Sequence, residues 1–317
     1  MKKTILLVLL LAVFAAEAQQ TPERPKILGI SHAGFASADI ENSRSFFRDY
    51  LGFAEPVVIR DGDEGDIRIL YVKINDEQYV ELTPLKKGEP GLTHLAFQTD
   101  DAEGMRRYLE AKGCKVSAKT TFGRIGNGHI SVISPLGMRH EFIEYRPDSK
   151  TSAARGKMMP DSRISRRMGH AGFMVADLDA ALAFYVDILG FREVWRGGKD
   201  PAKVSWVHLQ VPDGDQTIEL MLYETEPTRA QKGSLNHISL DVKDVYATQS
   251  LLDGRRLPEG CRLAREIKGG VIRKLHVNCF MSDGSRVEIM EDHTIDGKPT
   301  PSSKGVPMKY VPAPVER

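Results

Sequence analysis

A repeat constrains this chain more than any other feature. The run ISHAGFASADI from Ile30 to Ile40 returns as MGHAGFMVADL from Met168 to Leu178, so that His32 and Asp39 recur as His170 and Asp177, 138 positions on. The match continues without a gap through Phe46/Phe184, Asp49/Asp187 and the Leu-Gly-Phe runs ending at Phe53 and Phe191. A strand, a turn and an amphipathic helix therefore recur together, which requires two similar domains. A fainter copy lies inside the first: GLTHLAF (Gly91–Phe97) echoes GISHAGF (Gly29–Phe35), with His94 62 positions beyond His32.

Strand and helix patterns follow the repeat. In the first module a strand over Leu28–Ser37 leads to a helix capped by Asp39 and stopped at Gly52, and strands follow at Pro56–Arg60, Ile67–Ile74 and Tyr79–Thr83. The second copy adds a helix over Asp101–Lys112 and strands at Lys115–Lys119, His129–Ser134 and His140–Tyr145. Each module thus reads as βαβββ twice, an α+β fold in which the paired units make a half-open eight-stranded barrel. The modules span residues 26–146 and 168–293. In the second, the expected elements are a helix over Asp177–Leu189, a strand ending at Thr217–Leu222, a strand at His237 and a helix over Val242–Leu252. Strands at Cys261–Ile267, Lys274–Phe280 and Arg286–Met290 complete it. Residues 147–167 carry six basic side chains against two acidic ones and read as a solvated tether. Residues 294–317, with five prolines and no apolar period, read as an extended tail.

The first eighteen residues, with Lys2 and Lys3 before an apolar run and an Ala16-Glu17-Ala18 cleavage site, read as a signal peptide. The expected product is a periplasmic or secreted protein, detached from the membrane after cleavage, as a monomer or homodimer. A formal charge of +1 gives no electrostatic reason to expect nucleic acid, and leaves a small molecule as the expected ligand. Cys114, Cys261 and Cys279 are too few for a disulfide framework. Cys114 and Cys261 are equivalent in the repeat and read as core residues.

Four residues of module one obey the half-repeat: His32 and His94 on first strands, Glu81 and Glu141 on last strands. Units paired about a local two-fold bring these four to one point. Two imidazoles and two carboxylates suit a divalent cation such as Zn²⁺, Ni²⁺, Mn²⁺ or Fe²⁺. Module two repeats the set as His170, Glu219, His237 and Glu288. His129 and His276, each twelve residues before its glutamate, are candidates for acid–base work. His140 alternates onto the opposite strand face, whereas His208 and His293 have no repeat partner and receive no role. Gly123–Gly128 and Gly269-Gly270 precede strands, and read as hairpins rather than phosphate loops.

The His-x-x-Phe start, the run from Asp39 to Phe53, Val80-Glu-Leu82, Leu92-Thr-His94 and Ser134-Pro-x-Gly-x-x-x-Glu141 together resemble the vicinal oxygen chelate superfamily. In module two the last motif reads Ser282-Asp-Gly-Ser-Arg-Val-Glu288. The superfamily includes glyoxalase I, type I extradiol dioxygenases, antibiotic-resistance proteins and methylmalonyl-CoA epimerase. The resemblance implies a metal held by the histidines and glutamates, with Glu81, Glu141, Glu219 and Glu288 available to move protons. A glyoxalase- or epimerase-like lyase or isomerase uses all four ligands. An Fe²⁺ ring-cleaving dioxygenase uses His32, His94 and Glu141, or His170, His237 and Glu288, and a resistance-type protein only binds. The chain departs from glyoxalase I at Ala36, Leu85, Met174 and Tyr223, where glutathione contacts are expected. It departs from the dioxygenases at Ser131 and Asn278, where a tyrosine is expected.

Overall fold

The computed structural model describes residues 22–312, so the expected signal peptide lies outside the described residues. Module one contributes strands β1 (Ile27–Ser37), β2 (Ala54–Arg60), β3 (Ile67–Lys73), β4 (Tyr79–Pro84), β5 (Gly91–Thr99), β6 (Gly128–Ile133) and β7 (Arg139–Glu144). They form one sheet in the order β2-β3-β4-β1-β5-β7-β6. Its centre is the antiparallel pair β1 and β5, the first strands of the two units. The units therefore pair within the module, and the half-repeat residues share one concave face.

Module two repeats the arrangement with β8 (Met168–Val175), β9 (Arg192–Gly197), β10 (Lys203–Val204), β11 (Trp206–Gln210), β12 (Thr217–Leu222) and β13 (His237–Val242). β14 (Arg262–Leu263), β15 (Lys268–Gly269), β16 (Leu275–Phe280) and β17 (Arg286–Glu291) follow. Nine strands join one sheet, with β8 and β13 as the central antiparallel pair. The modules hold seven and nine strands rather than eight each, and the difference sits at one edge. The strand expected over Lys115–Lys119 is reduced to isolated bridges, Val116–Val132 and Thr121–His129. Its counterpart in module two is split into β14 and β15, both paired to β16.

Helix α1 (Ile40–Ser45) starts at the Asp39 side chain, which accepts from the Asn42 amide, and continues as a π-helical turn over Phe46–Tyr50. Gly52, at φ +84°, ends it. Asp101 caps α2 (Ala102–Ala111) in the same way. The chain after β7 carries α3 (Lys150–Ala153). In module two Asp177 caps α4 (Leu178–Leu182), which also runs on in π geometry, over Ala183–Ile188. After α5 (Arg229–Leu235), Asp244 caps α6 (Val245–Asp253). The helix expected from Val242 starts later because Val242 is the last paired residue of β13.

One continuous hydrophobic core joins the modules. The sheets pair within a module and the helices pack across. Arg255 donates to the Tyr50 carbonyl beyond α1, and the Asn42 amide donates to the Glu259 carbonyl. On the other side the Tyr108 hydroxyl donates to the Ile188 carbonyl, and His140 meets Tyr185. Cys279 is buried, while Cys114 and Cys261 are half-buried against this core.

Residues 147–167 are not a solvated tether. The ammonium of Lys73, itself fully buried, donates to the Ala154 and Lys157 carbonyls, and Asn127 accepts from Thr151 on α3. The segment thus spans module one from the β6 end of the sheet to β2. The tail does the same for module two: Thr300 donates to the Ile272 carbonyl near β16, and the Pro301 carbonyl accepts from Trp195 on β9. Beyond it β18 (Val306–Pro307) pairs with β10. No helix among the described residues is long and apolar enough to cross a membrane.

Candidate metal centres

β1 and β5 bring the imidazoles of His32 and His94 together nearly perpendicular, with Nε2 atoms 3.1 Å apart, and both side chains are buried. In module two His170 and His237 stand 3.3 Å apart. Two nitrogens bound side by side to one ion at about 2.1 Å lie about 3 Å apart, so the spacing suits a shared cation. Glu141 and Glu288 close each triad. Glu141 Oε2 is 3.6 Å from His32 and 3.7 Å from His94, and Glu288 Oε2 is 3.3 Å from His170 and 3.8 Å from His237. Each triad offers one ligand atom per residue within a sphere of metal-binding size.

Two local features fix the imidazoles. Glycine is required two residues after the first histidine, because a Cβ on Gly34 would lie 1.9 Å from His94 Cε1, and one on Gly172 2.3 Å from His237 Cε1. Polar partners then hold each ring at Nδ1. His94 Nδ1 lies 3.1 Å from Thr93 Oγ1, whose own proton goes to the Gly34 carbonyl, and 3.0 Å from the Arg139 guanidinium. His237 Nδ1 lies 2.8 Å from the Leu235 carbonyl and 2.5 Å from the Arg286 guanidinium. Both arrangements leave Nε2 facing the site.

The fourth residue of each quartet is close but held differently. Glu81 lies 3.8 Å from His32 and 3.9 Å from His94, and its Oε2 accepts a hydrogen bond from the Tyr71 hydroxyl at 2.8 Å. Glu219 Oε2 lies 3.6 Å from His237, while its Oε1 accepts from His208 at 3.1 Å. His208, given no role from the sequence, is thus part of the second site. Its counterpart is Tyr71, and the two sit at matching cross-strand positions opposite Glu219 and Glu81. Mirroring residues about the turns between β3 and β4, and between β11 and β12, places both. That is the signal a residue-type repeat cannot give.

His129 Nε2 lies 3.3 Å from Glu141 Oε2, at the half-open rim. His276 lies 3.9 Å from Glu288 Oε1. His293 pairs with Asp292 and Glu291 away from either quartet.

Burial pushes the His94 imidazole down to about 3, and burial with the adjacent Arg286 guanidinium does the same to His237. Both are neutral donors at physiological pH. Burial also opposes charge on His170, but the Glu288 carboxylate outweighs it and raises the pKa. For Glu141 and Glu288 burial works against ionisation, yet the facing imidazoles prevail and hold both well below the usual carboxylate range. Glu219 sits at about 2 for the same reasons, with His208 the main partner. Glu288 Oε2 is buried with no hydrogen-bond partner. A buried anionic oxygen beside two imidazoles suits a cation, and the residues present fit a divalent metal.

Two profiles of the Glyoxalase/Bleomycin resistance protein/Dioxygenase superfamily match, one over residues 31–132 and the other over residues 167–289, together more than half of the chain. The chain belongs to that superfamily, with two tandem modules. It is 28% identical to a 3-methylcatechol 2,3-dioxygenase of Pseudomonas putida over 51% of this chain, and spans 56% of that protein's length. It is 29% identical to a lactoylglutathione lyase of Haemophilus influenzae over 39% of this chain and 90% of that one. Among solved structures, homoprotocatechuate 2,3-dioxygenase of Brevibacterium fuscum superposes with a TM-score of 0.65 at 17% identity, covering 91% of this chain and 77% of that chain. That likeness concerns the fold.

Proposed function

We propose that the protein is a metal-dependent lyase or isomerase that binds a small substrate through vicinal oxygens and moves a proton next to a carbonyl. The observation that carries this reading is the second carboxylate of each site. Glu81 and Glu219 flank the histidine pair, each with one oxygen fixed by a neighbouring donor and the other free. A two-histidine, one-carboxylate triad has no need of them. His32, His94 and Glu141 would hold one ion, and His170, His237 and Glu288 a second, with Glu81 and Glu219 beside them. A bound divalent ion supplies Lewis-acid polarisation of the carbonyl oxygen. The free oxygen, Oε1 of Glu81 or Oε2 of Glu219, takes the proton from the adjacent carbon and returns it. Tyr71 and His208 keep that oxygen aimed while the proton moves.

The test begins with elemental analysis of the purified protein, with up to two ions per chain expected and none in the doubly substituted His94→Ala/His237→Ala protein. Proton exchange from deuterated solvent into α-hydroxycarbonyl compounds should then fall by about 10²-fold or more in Glu81→Gln and Glu219→Gln with metal retained. Undiminished exchange would refute the assignment. Ring-cleaving dioxygenation is the second reading, favoured by the geometry of the two triads and by the dioxygenase relative. Iron in the purified protein with oxygen uptake on catechols would establish it instead. Export is proposed from the sequence alone, and an intact N-terminus on cytosolic material would overturn it.

A further inference from the structure

The two metal centres differ in the charges at their mouths. In module one Arg139 turns onto its own site: its guanidinium forms an ion pair with Glu141 Oε1 at 2.8 Å and lies 3.0 Å from His94 Nδ1. The residue at the same register in module two is Arg286, beside His237 on β13 as Arg139 is beside His94 on β5. Arg286 forms no ion pair among the described residues. Its terminal nitrogen donates to the Leu235 carbonyl at 2.9 Å and lies 2.5 Å from His237 Nδ1, while its Nε is buried with no partner.

Arg286 is not alone. Phe280 is its cross-strand neighbour on β16, and alternation puts Phe280 and Arg286 on the concave face with Asn278 and Glu288. The Arg262 guanidinium lies over the Phe280 ring at 3.8 Å, exposed and likewise without an ion pair among the described residues. Together with Ser234 and Ser282 these residues line a cleft of about 520 Å³. The matching positions in module one are Lys115 and Ile133, so the first site has no equivalent of the stacked arginine.

We propose that this cleft is an anion-binding arm of the second metal centre, built for a carboxylate on the substrate. Two guanidiniums line it, and neither is in ion-pair contact with a protein carboxylate among the described residues. One rests over an aromatic ring, which leaves its edge donors for a planar oxyanion. The other keeps an unused buried donor, which is costly unless a ligand accepts from it. Arg286 also abuts the Leu235–His237 corner of the metal site, so a substrate chelated there would reach the cleft within a few bonds. The proposal rests on the vicinal-oxygen reading above. It makes the second site the one that selects anionic substrates, while the first has already neutralised its arginine with Glu141.

The probes are acetohydroxamate, a neutral vicinal-oxygen chelator, and succinate monohydroxamate, which adds a carboxylate. Both are titrated calorimetrically into full-length protein loaded with Zn²⁺. The carboxylated probe should bind the wild-type protein at least about tenfold tighter. Arg262→Met should erase most of that preference, and Arg286→Lys, which keeps charge but loses the Nε donor, should reduce it. Lys115→Met, at the position of module one that matches Arg262, should leave it unchanged. Zinc content, measured on every variant, separates loss of the arm from loss of the ion. Equal affinities for the two probes in wild type, or a preference that survives in the Arg262→Met/Arg286→Met protein, would overturn the arm and leave the chelate reading intact. Failure of both hydroxamates to bind the zinc-loaded protein would overturn the chelate reading and the arm together.

Discussion

Gly34 and Gly172 carry as much of the metal chemistry as the ligands do, because each provides the space its partner imidazole occupies. Alanine at Gly34 would drive His94 out of line, and alanine at Gly172 would displace His237. Each substitution should remove one ion per chain, and the pair both, read by elemental analysis. The titrating groups give a second expectation. His94, His237 and His140 have folded pKa values of about 3, 3 and 4, below the unfolded value near 6.5. Between those limits the unfolded chain binds more protons, so stability rises with pH there and falls on acidification. His170, raised by Glu288, opposes them: its contribution is full below pH 6.5 and lost as pH rises through its folded pKa. Three groups against one decide the sign. Urea midpoints of metal-free protein should therefore fall from pH 6.5 towards pH 4, and a flat profile would count against neutral buried imidazoles.

At the scale of elements, what the sequence made legible was local. Asp39 caps its helix as its pattern predicted, the helices read from Asp101 and Asp177 begin just after those residues, and the strands bearing the quartets lie within a residue or two of expectation. These features depend on periodicity and caps within a few residues. Cross-strand register and tertiary docking escaped, which is why His208 was missed and why residues 147–167 read as a tether. Their basic composition suggested solvent, whereas the decisive partner, Lys73, lies more than seventy residues away. Lys73→Met should release this strap without touching the ligands. The expected result is faster amide exchange and proteolysis around 150–158 with zinc content unchanged. Protection equal to wild type would show that the strap is held by α3 alone.

At the scale of the whole molecule, one buried polar contact breaks the symmetry between the modules. His140 Nδ1 donates to the Leu95 carbonyl beside ligand His94, and His140 Nε2 accepts from the Tyr185 hydroxyl at 2.5 Å. Both side chains are fully buried. The repeat-equivalent positions are apolar, Val287 for His140 and Phe47 for Tyr185, so the pair has no counterpart across the pseudo-two-fold axis. His140→Val strands the Tyr185 hydroxyl, and Tyr185→Phe strands His140 Nε2. Each should cost about 1–3 kcal/mol, the usual penalty for an unpaired buried polar group. The double variant gives the interface the apolar pair already used on the other side, and should recover most of that loss. It should also lose part of the acid sensitivity, because one buried imidazole with a depressed pKa is gone. Urea unfolding of the four proteins at pH 7 and pH 5 completes the cycle. Additive losses in the double variant would show that the contact contributes no coupling between the modules.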